Sequence, residues 1–489
     1  MTRSIAAVLA CAVVLATGAR PLQAAQEAHA HWTVSTSDPK AQQLFDRGLA
    51  MLYAFDEGEA RVLFAQAAER DPDLAMAYWG MAEADTIDIN FPSTPEGEQR
   101  GADAARKARA HLAHASPEER ALVGAIGARY AKGSTKQKFS RYEASMSAFT
   151  KAHQDEPNAL VVAGFANYVA EDALLDGKDA MTPKAHEILD DVDRALVLEP
   201  SNLGAHHLRL HLLEEVKRPK DAVSDAETLS SYVYPPGESH LPHMSGHIWS
   251  RIGDYDRLAA DNQVAVANDR AWFALGDGPG QQYMKQYHDH DVDFVLYGLT
   301  TIGRDADARA AASDEDASMR AKLALRLHDD AAVVAIGSGA NSFARGIAAA
   351  RSGNAATART ERDKLARTDT VRRALIDAAI AGRAGDVEAR VAAYARAYAE
   401  TKTSNPGDPK DYWTVPVGEG YAAALSAAGK PAQAETVFTA ELVRFPNDPH
   451  LEWGLAEALS AQHKDDAAAR AAYKAHWKGA RDLTLDRLG

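Results

Sequence analysis

The sequence predicts an all-α protein, a solenoid of stacked helix-turn-helix repeats with a concave groove. Three observations predict it. Alanine, leucine, glutamate and arginine fill long segments that lack β-branched runs, which is the composition of helices. With 489 residues the chain exceeds what one compact core organises, so an array of units is expected. Small residues, a large apolar residue and a helix-ending proline recur at the spacing of a helix pair, the mark of repeat architecture.

In chain order, Arg3 is followed by an apolar stretch from Ile5 to Thr17 and then by Ala24 and Ala25. That is the layout of a cleavable export signal. The signal is expected to occupy residues 1–25, with a flexible N-terminal segment at 26–39. Cleavage after Ala30 instead would place His31 at the new terminus, a metal-chelating arrangement. The apolar stretch is short for a membrane span and no other segment matches it, so a secreted or periplasmic chain without a membrane span is expected. The single cysteine, Cys11, lies inside the signal. The mature chain then has no thiol, and a bound metal must be held by nitrogen and oxygen.

N-terminal repeats are expected at 40–180. Within Ala41–Pro72, the residues Leu44, Gly48, Ala60, Phe64, Ala67 and Pro72 have mutual offsets that resemble the tetratricopeptide repeat (TPR), a unit of two antiparallel helices. Gly48 and Ala60 let the helices approach, Phe64 fills the gap, and Asp71-Pro72 ends the unit. Central repeats are expected at 181–312, helical connecting repeats at 313–400, and C-terminal TPR-like repeats at 401–489. Pro92–Gly97, Lys132–Lys138 and Thr403–Lys410 read as loops, and the glycine-rich Gly276–Gly280 as a turn.

A net charge of -15, from 54 basic and 69 acidic residues, argues against nucleic acid and anionic membrane surfaces as partners. There is no phosphate loop, dinucleotide fingerprint or nucleophile-elbow serine.

The chemistry concentrates in the central repeats. Eight of the eighteen histidines fall between His206 and His290. His207, His211 and Glu214 sit at i, i+4 and i+7, which is one face of a helix. His240, His243 and His247 occupy i, i+3 and i+7, as do His290, Asp293 and Tyr297. Repeat registers fixed from Ala222, Gly253 and Gly303, independently of the histidines, turn all three faces into the groove. His206 and His288 flank the pattern and point off it. A lone helical histidine is normally a surface or core residue, so His111, His114, His153, His186, His328, His450, His463 and His476 are set aside.

The run from His240 to Tyr255, with Tyr287–His290 after it and Tyr78–Gly80 before it, resembles a family of exported bacterial TPR proteins over most of residues 40–480. The resemblance implies a shared set at His207, His211, His240, His243, His247 and His290. It also implies histidine at the position of Asp293 and asparagine at that of Asp291. Aspartate at 293 keeps a donor but makes the site harder and more anionic. The resemblance carries no activity with it.

Six imidazoles, with Glu214 and Asp293 assisting, are expected to hold one or two transition-metal ions, since imidazole with carboxylate suits copper, zinc or iron. Catalysis is left open. If it occurs, Glu214 and Asp293 are the candidate bases at a metal-bound water, and Tyr297 the candidate partner of a redox metal. Besides the metal ion, a small organic substrate or a peptide in the groove is a compatible partner. The rival class is a metal-free scaffold that holds a partner polypeptide in the cell envelope.

Overall fold

The computed structural model describes residues 30–86, 89–90, 94–171, 173–402 and 412–488. Regular structure among them is helical, apart from one isolated antiparallel bridge between Leu175 and Met181. The first thirteen α-helices are α1 (Pro39–Tyr53), α2 (Glu57–Arg70), α3 (Ala75–Glu83), α4 (Pro95–Ala110), α5 (Pro117–Arg129), α6 (Thr135–Ala152), α7 (Pro157–Ala170), α8 (Pro183–Leu198), α9 (Leu203–Glu215), α10 (Val223–Ser231), α11 (His240–Ile252), α12 (Tyr255–Phe273) and α13 (Pro279–Thr301). Further helices follow from Asp305 to His476. Each helix packs chiefly on its neighbour in sequence, as α1 on α2, α3 on α4, α7 on α8 and α12 on α13. The chain is therefore an all-α, TPR-like array of helix pairs.

The expected packing logic of the first repeat is present. Ala60 and Phe64 are fully buried, and a Cβ on Gly48 would come within 2.8 Å of the Phe64 ring. Gly80 of α3 serves the same ring from the next helix, where a Cβ would come within 2.6 Å. The pairing recurs near the C-terminus, where Gly454 gives way to the Phe438 ring. Both phenylalanines lie sixteen residues before their glycines, so one close approach is used at both ends of the array.

Four expectations change. Pro95 and Gly97 lie inside α4: Thr94 caps it by accepting from Gly97 N at 3.0 Å, and proline at the first helical position starts a helix. Thr135–Lys138 likewise open α6, because Ser134 and Gln137 form a capping box. Residues 30–38 are no loose arm. Trp32 and Val34 are buried, Trp32 meets Trp79 edge-on at 5.5 Å, and Ser35 N donates to Glu119 at 2.7 Å. Of the turn expected at Gly276–Gly280, Pro279 and Gly280 are instead the first residues of α13. The expected signal at 1–25 and the Thr403–Lys410 loop lie outside the described residues. No described helix is long and apolar enough to cross a membrane.

What positions the site is the way the array turns back on itself. α13 packs on α2 as well as on α12, and Gly58 lies so close to Pro279 that a Cβ would come within 2.6 Å of its carbonyl oxygen. α9 touches α1, α7 and α11, and α11 touches α13. The C-terminal repeats return as well. Tyr255 donates to Pro446 O at 3.3 Å, and Lys478 N donates to Ile302 O at 2.8 Å.

Candidate metal centre

α9, α11 and α13 carry the histidines, and their helical spacing brings them together in two groups. His207, His211 and His240 form the first triad, and His243, His247 and His290 the second. Within each, one potential ligand atom per residue lies within 4.8 Å of the others. The triads adjoin, since the His240 and His243 rings stack with centroids 5.5 Å apart.

Hydrogen bonds at Nδ1 decide which nitrogen of each ring is free. His207 Nδ1 donates to Tyr53 O at 2.7 Å, so its Nε2 carries the lone pair, and that atom lies 3.1 Å from His211 Nε2. In the second triad the His243 and His247 rings are fixed. Asn262 donates its amide to Leu258 O at 2.9 Å, and its Oδ1 accepts from His243 Nδ1 at 2.7 Å. His247 Nδ1 donates to Glu214 at 3.1 Å. The two Nε2 atoms then face each other at 2.9 Å. Bare lone pairs repel at that distance, and a proton or a metal ion between them removes the conflict. His290 brings a third ligand atom within 4.8 Å of theirs. A proton links two nitrogens, whereas a cation links three. Ligand nitrogens of a tetrahedral zinc are about 3.3 Å apart, close to the spacing seen here.

His240 strengthens the case at the first triad. It is buried among Phe55, His207 and Tyr287, yet neither ring nitrogen makes a hydrogen bond. A buried polar group left unpaired is costly; ligation would satisfy it.

Burial also sets the protonation. It pushes His207 and His290 down to about 3, and His211, His240 and His243 well below the ordinary histidine range, with neighbouring imidazoles adding to the effect. These rings are neutral at physiological pH, the state that binds metal.

The expected open groove is not the setting of these six histidines. Five of the six histidines are buried, with His207 and His243 fully so, and His290 is half-buried. Glu214, Asp293 and Tyr297 stand outside both groups. Glu214 holds the Nδ1 side of His247 and accepts from Arg251 at 2.9 Å. Burial alone would raise its pKa, but its partners His247 and Arg251 outweigh that and lower it. It is thus an orienting partner, as carboxylates commonly are for metal-ligating histidine. Asp293 is taken by Lys322 at 2.6 Å. Tyr297 lies two helical turns past His290, about 10 Å along α13, and packs edge-on against Tyr255 at 5.7 Å.

His206 and His288 stand outside both triads. His206 pairs with Asp225 at 2.7 Å and His288 with Asp269 at 2.9 Å. Two partners escaped the sequence: the Asn262 oxygen and the Tyr53 carbonyl are acceptors that only tertiary placement reveals.

No family model matches this chain, and no curated protein does. Among solved structures the chain is similar to the TPR domain of P58(IPK), with 12% identity, 86% of this chain and 98% of that chain covered, and a TM-score of 0.26. A likeness that distant adds nothing to the helix-pair packing described above.

Proposed function

We propose that the chain is a metal-binding helical-repeat protein, whose two histidine triads each hold a transition-metal ion of the copper, zinc or iron class. The observation that supports this most is the second triad: two oriented Nε2 atoms 2.9 Å apart with a ligand atom of a third imidazole within 4.8 Å of the pair's. The donor set is all nitrogen with oriented outer partners, which suits these metals and not magnesium or calcium. Three protein ligands leave a coordination position open, the arrangement that catalytic sites share. An ion held this way would activate a bound water or, if redox-active, oxygen. A polar wall for an extended peptide would instead expose its imidazoles, and these are buried. With the N-terminal layout of residues 1–25 we also propose that the chain acts after export, with a mature terminus at Ala25 or Gln26.

Elemental analysis of untagged protein tests the assignment. About two ions per chain are expected, falling to about one in His243→Ala, while His328→Ala keeps both. Equal metal content in the two variants, or none under any loading condition, would leave only a metal-free scaffold. Turnover that a chelator abolishes marks an enzyme; metal without turnover marks a carrier.

A further inference from the structure

In a chain whose net charge is -15, three arginines line one cleft of the C-terminal half. Arg351 ends the helix Ser342–Arg351, Arg383 lies in the last turn of Thr370–Ala384, and Arg390 lies at the start of Val387–Thr401. The helix dipole favours a cation in a last turn and opposes one at a start. It accounts for Arg351 and Arg383, and leaves Arg390 in need of another reason. The cleft has a volume of about 430 Å³, within the range of small-molecule sites. Buried Ile347, Leu375 and Val415 give it an apolar wall, and Tyr394 lies beside the arginines.

The sequence makes room for these side chains. Gly382 stands within a helix, where alanine would be preferred, and a Cβ there would come within 3.2 Å of Arg390 Cδ. A Cβ on Gly353 would likewise come within 3.4 Å of Arg383 Nε. The guanidiniums themselves have little to answer them. Arg351, 16% exposed, donates to Leu325 O at 3.2 Å and has the Asp330 carboxyl 3.8 Å away. Among the described residues Arg383 and Arg390 make neither an ion pair nor a side-chain hydrogen bond. Three guanidiniums set against the one carboxyl of Asp330 leave two positive charges over. His328, on the same cleft, registers that field: burial and the charges of Arg351, Arg326 and Arg487 push it down to about 2.

We propose that this cleft binds a small organic dianion, a phosphate monoester or a dicarboxylate with an apolar body, holding its charge with Arg351, Arg383 and Arg390 and its body against Ile347, Leu375 and Val415. The planar guanidinium fork pairs bidentately with either head group. Two negative charges match the two left over in the cleft. The triads take their nitrogens from α9, α11 and α13, so this site does not rest on the metal assignment.

The probes are phenyl phosphate and phthalate, titrated calorimetrically into the full-length chain. Binding of one molecule per chain is expected, weakening with added salt, and the tighter probe names the head group. Arg383→Gln and Arg390→Gln are each expected to weaken it by about tenfold or more, with an unchanged circular dichroism spectrum showing that they fold. His243→Ala is expected to bind like the unaltered chain, which separates the cleft from the triads. No binding of either probe, full affinity in both arginine variants, or loss of binding in His243→Ala alone would overturn the proposal. Phenol binding as tightly as phenyl phosphate would overturn the part given to charge, and inorganic phosphate binding as tightly would overturn the part given to the apolar wall.

Discussion

The amide of Asn262 donates to Leu258 O and thereby turns its oxygen toward His243 Nδ1, so one side-chain orientation selects which nitrogen of His243 is free. Asn262→Leu should leave the fold and the first triad intact while weakening the second site by about 10–100-fold, the usual cost of losing an outer partner; competition against a chromogenic chelator reads it. A polar residue without such a partner behaves differently. Glu238 is buried, its Oε2 makes no hydrogen bond, and burial pushes it up to about 8 against only a weak pull from Arg47. The folded state then binds more protons than the unfolded between about pH 4.5 and 8, so this group's contribution is present below that window and lost as pH rises through it. At pH 7 the penalty is about 3 kcal/mol. Glu238→Gln should therefore raise stability at neutral pH, with little gain at pH 4.5, in denaturant titrations at the two values. Nothing in the sequence around Glu238 or Asn262 announces these roles. Histidines are rare enough for six at helical spacing to stand out, whereas an asparagine oxygen or a Tyr53 carbonyl becomes an acceptor only through placement.

The unit that carries the site is the helix pair of α11 and α12. Gly246 lies between His243 and His247, and a Cβ there would overlap Asn262 Nδ2. The glycine is thus the reason that Asn262 can reach α11 at all. Gly246→Ala should displace the amide and lower occupancy of the second site much as Asn262→Leu does, although alanine favours the helix by about 1 kcal/mol. A variant with more helix and less bound metal would distinguish this from simple unfolding; unchanged occupancy would free Asn262 from the role. The helices themselves were legible from spacing, because residues at i, i+3, i+4 and i+7 share a face whatever surrounds them. Their starts were less so. Pro95 and Thr135 read as loop residues until capping by Thr94 and by the Ser134–Gln137 pair is seen to make them first turns.

At the scale of the whole chain, burial of the triads follows from curvature, which a repeat pattern does not encode. α13 meets α2, and the C-terminal repeats meet the end of α11 and the start of α12. A groove expected to be open is in this way closed over its histidines. The second closure turns on Gly253. It ends α11 at φ +77° and lies so close to Pro446 O that a Cβ would collide with it, while Asn447 Nδ2 donates to the carbonyls of Ile252 and Gly253 at 3.4 Å. A side chain here pays for left-handed backbone, about 1 kcal/mol, and also pushes the C-terminal repeats away. Gly253→Ala should destabilise by about 1–3 kcal/mol and speed hydrogen exchange at residues 446–451. The triad nitrogens come from α9, α11 and α13 and none from the returning segment, so metal content should persist. If exchange at 446–451 is unchanged, the return contact is not held by Gly253. If metal is lost with the contact, closure of the array and assembly of the triads are one event rather than two.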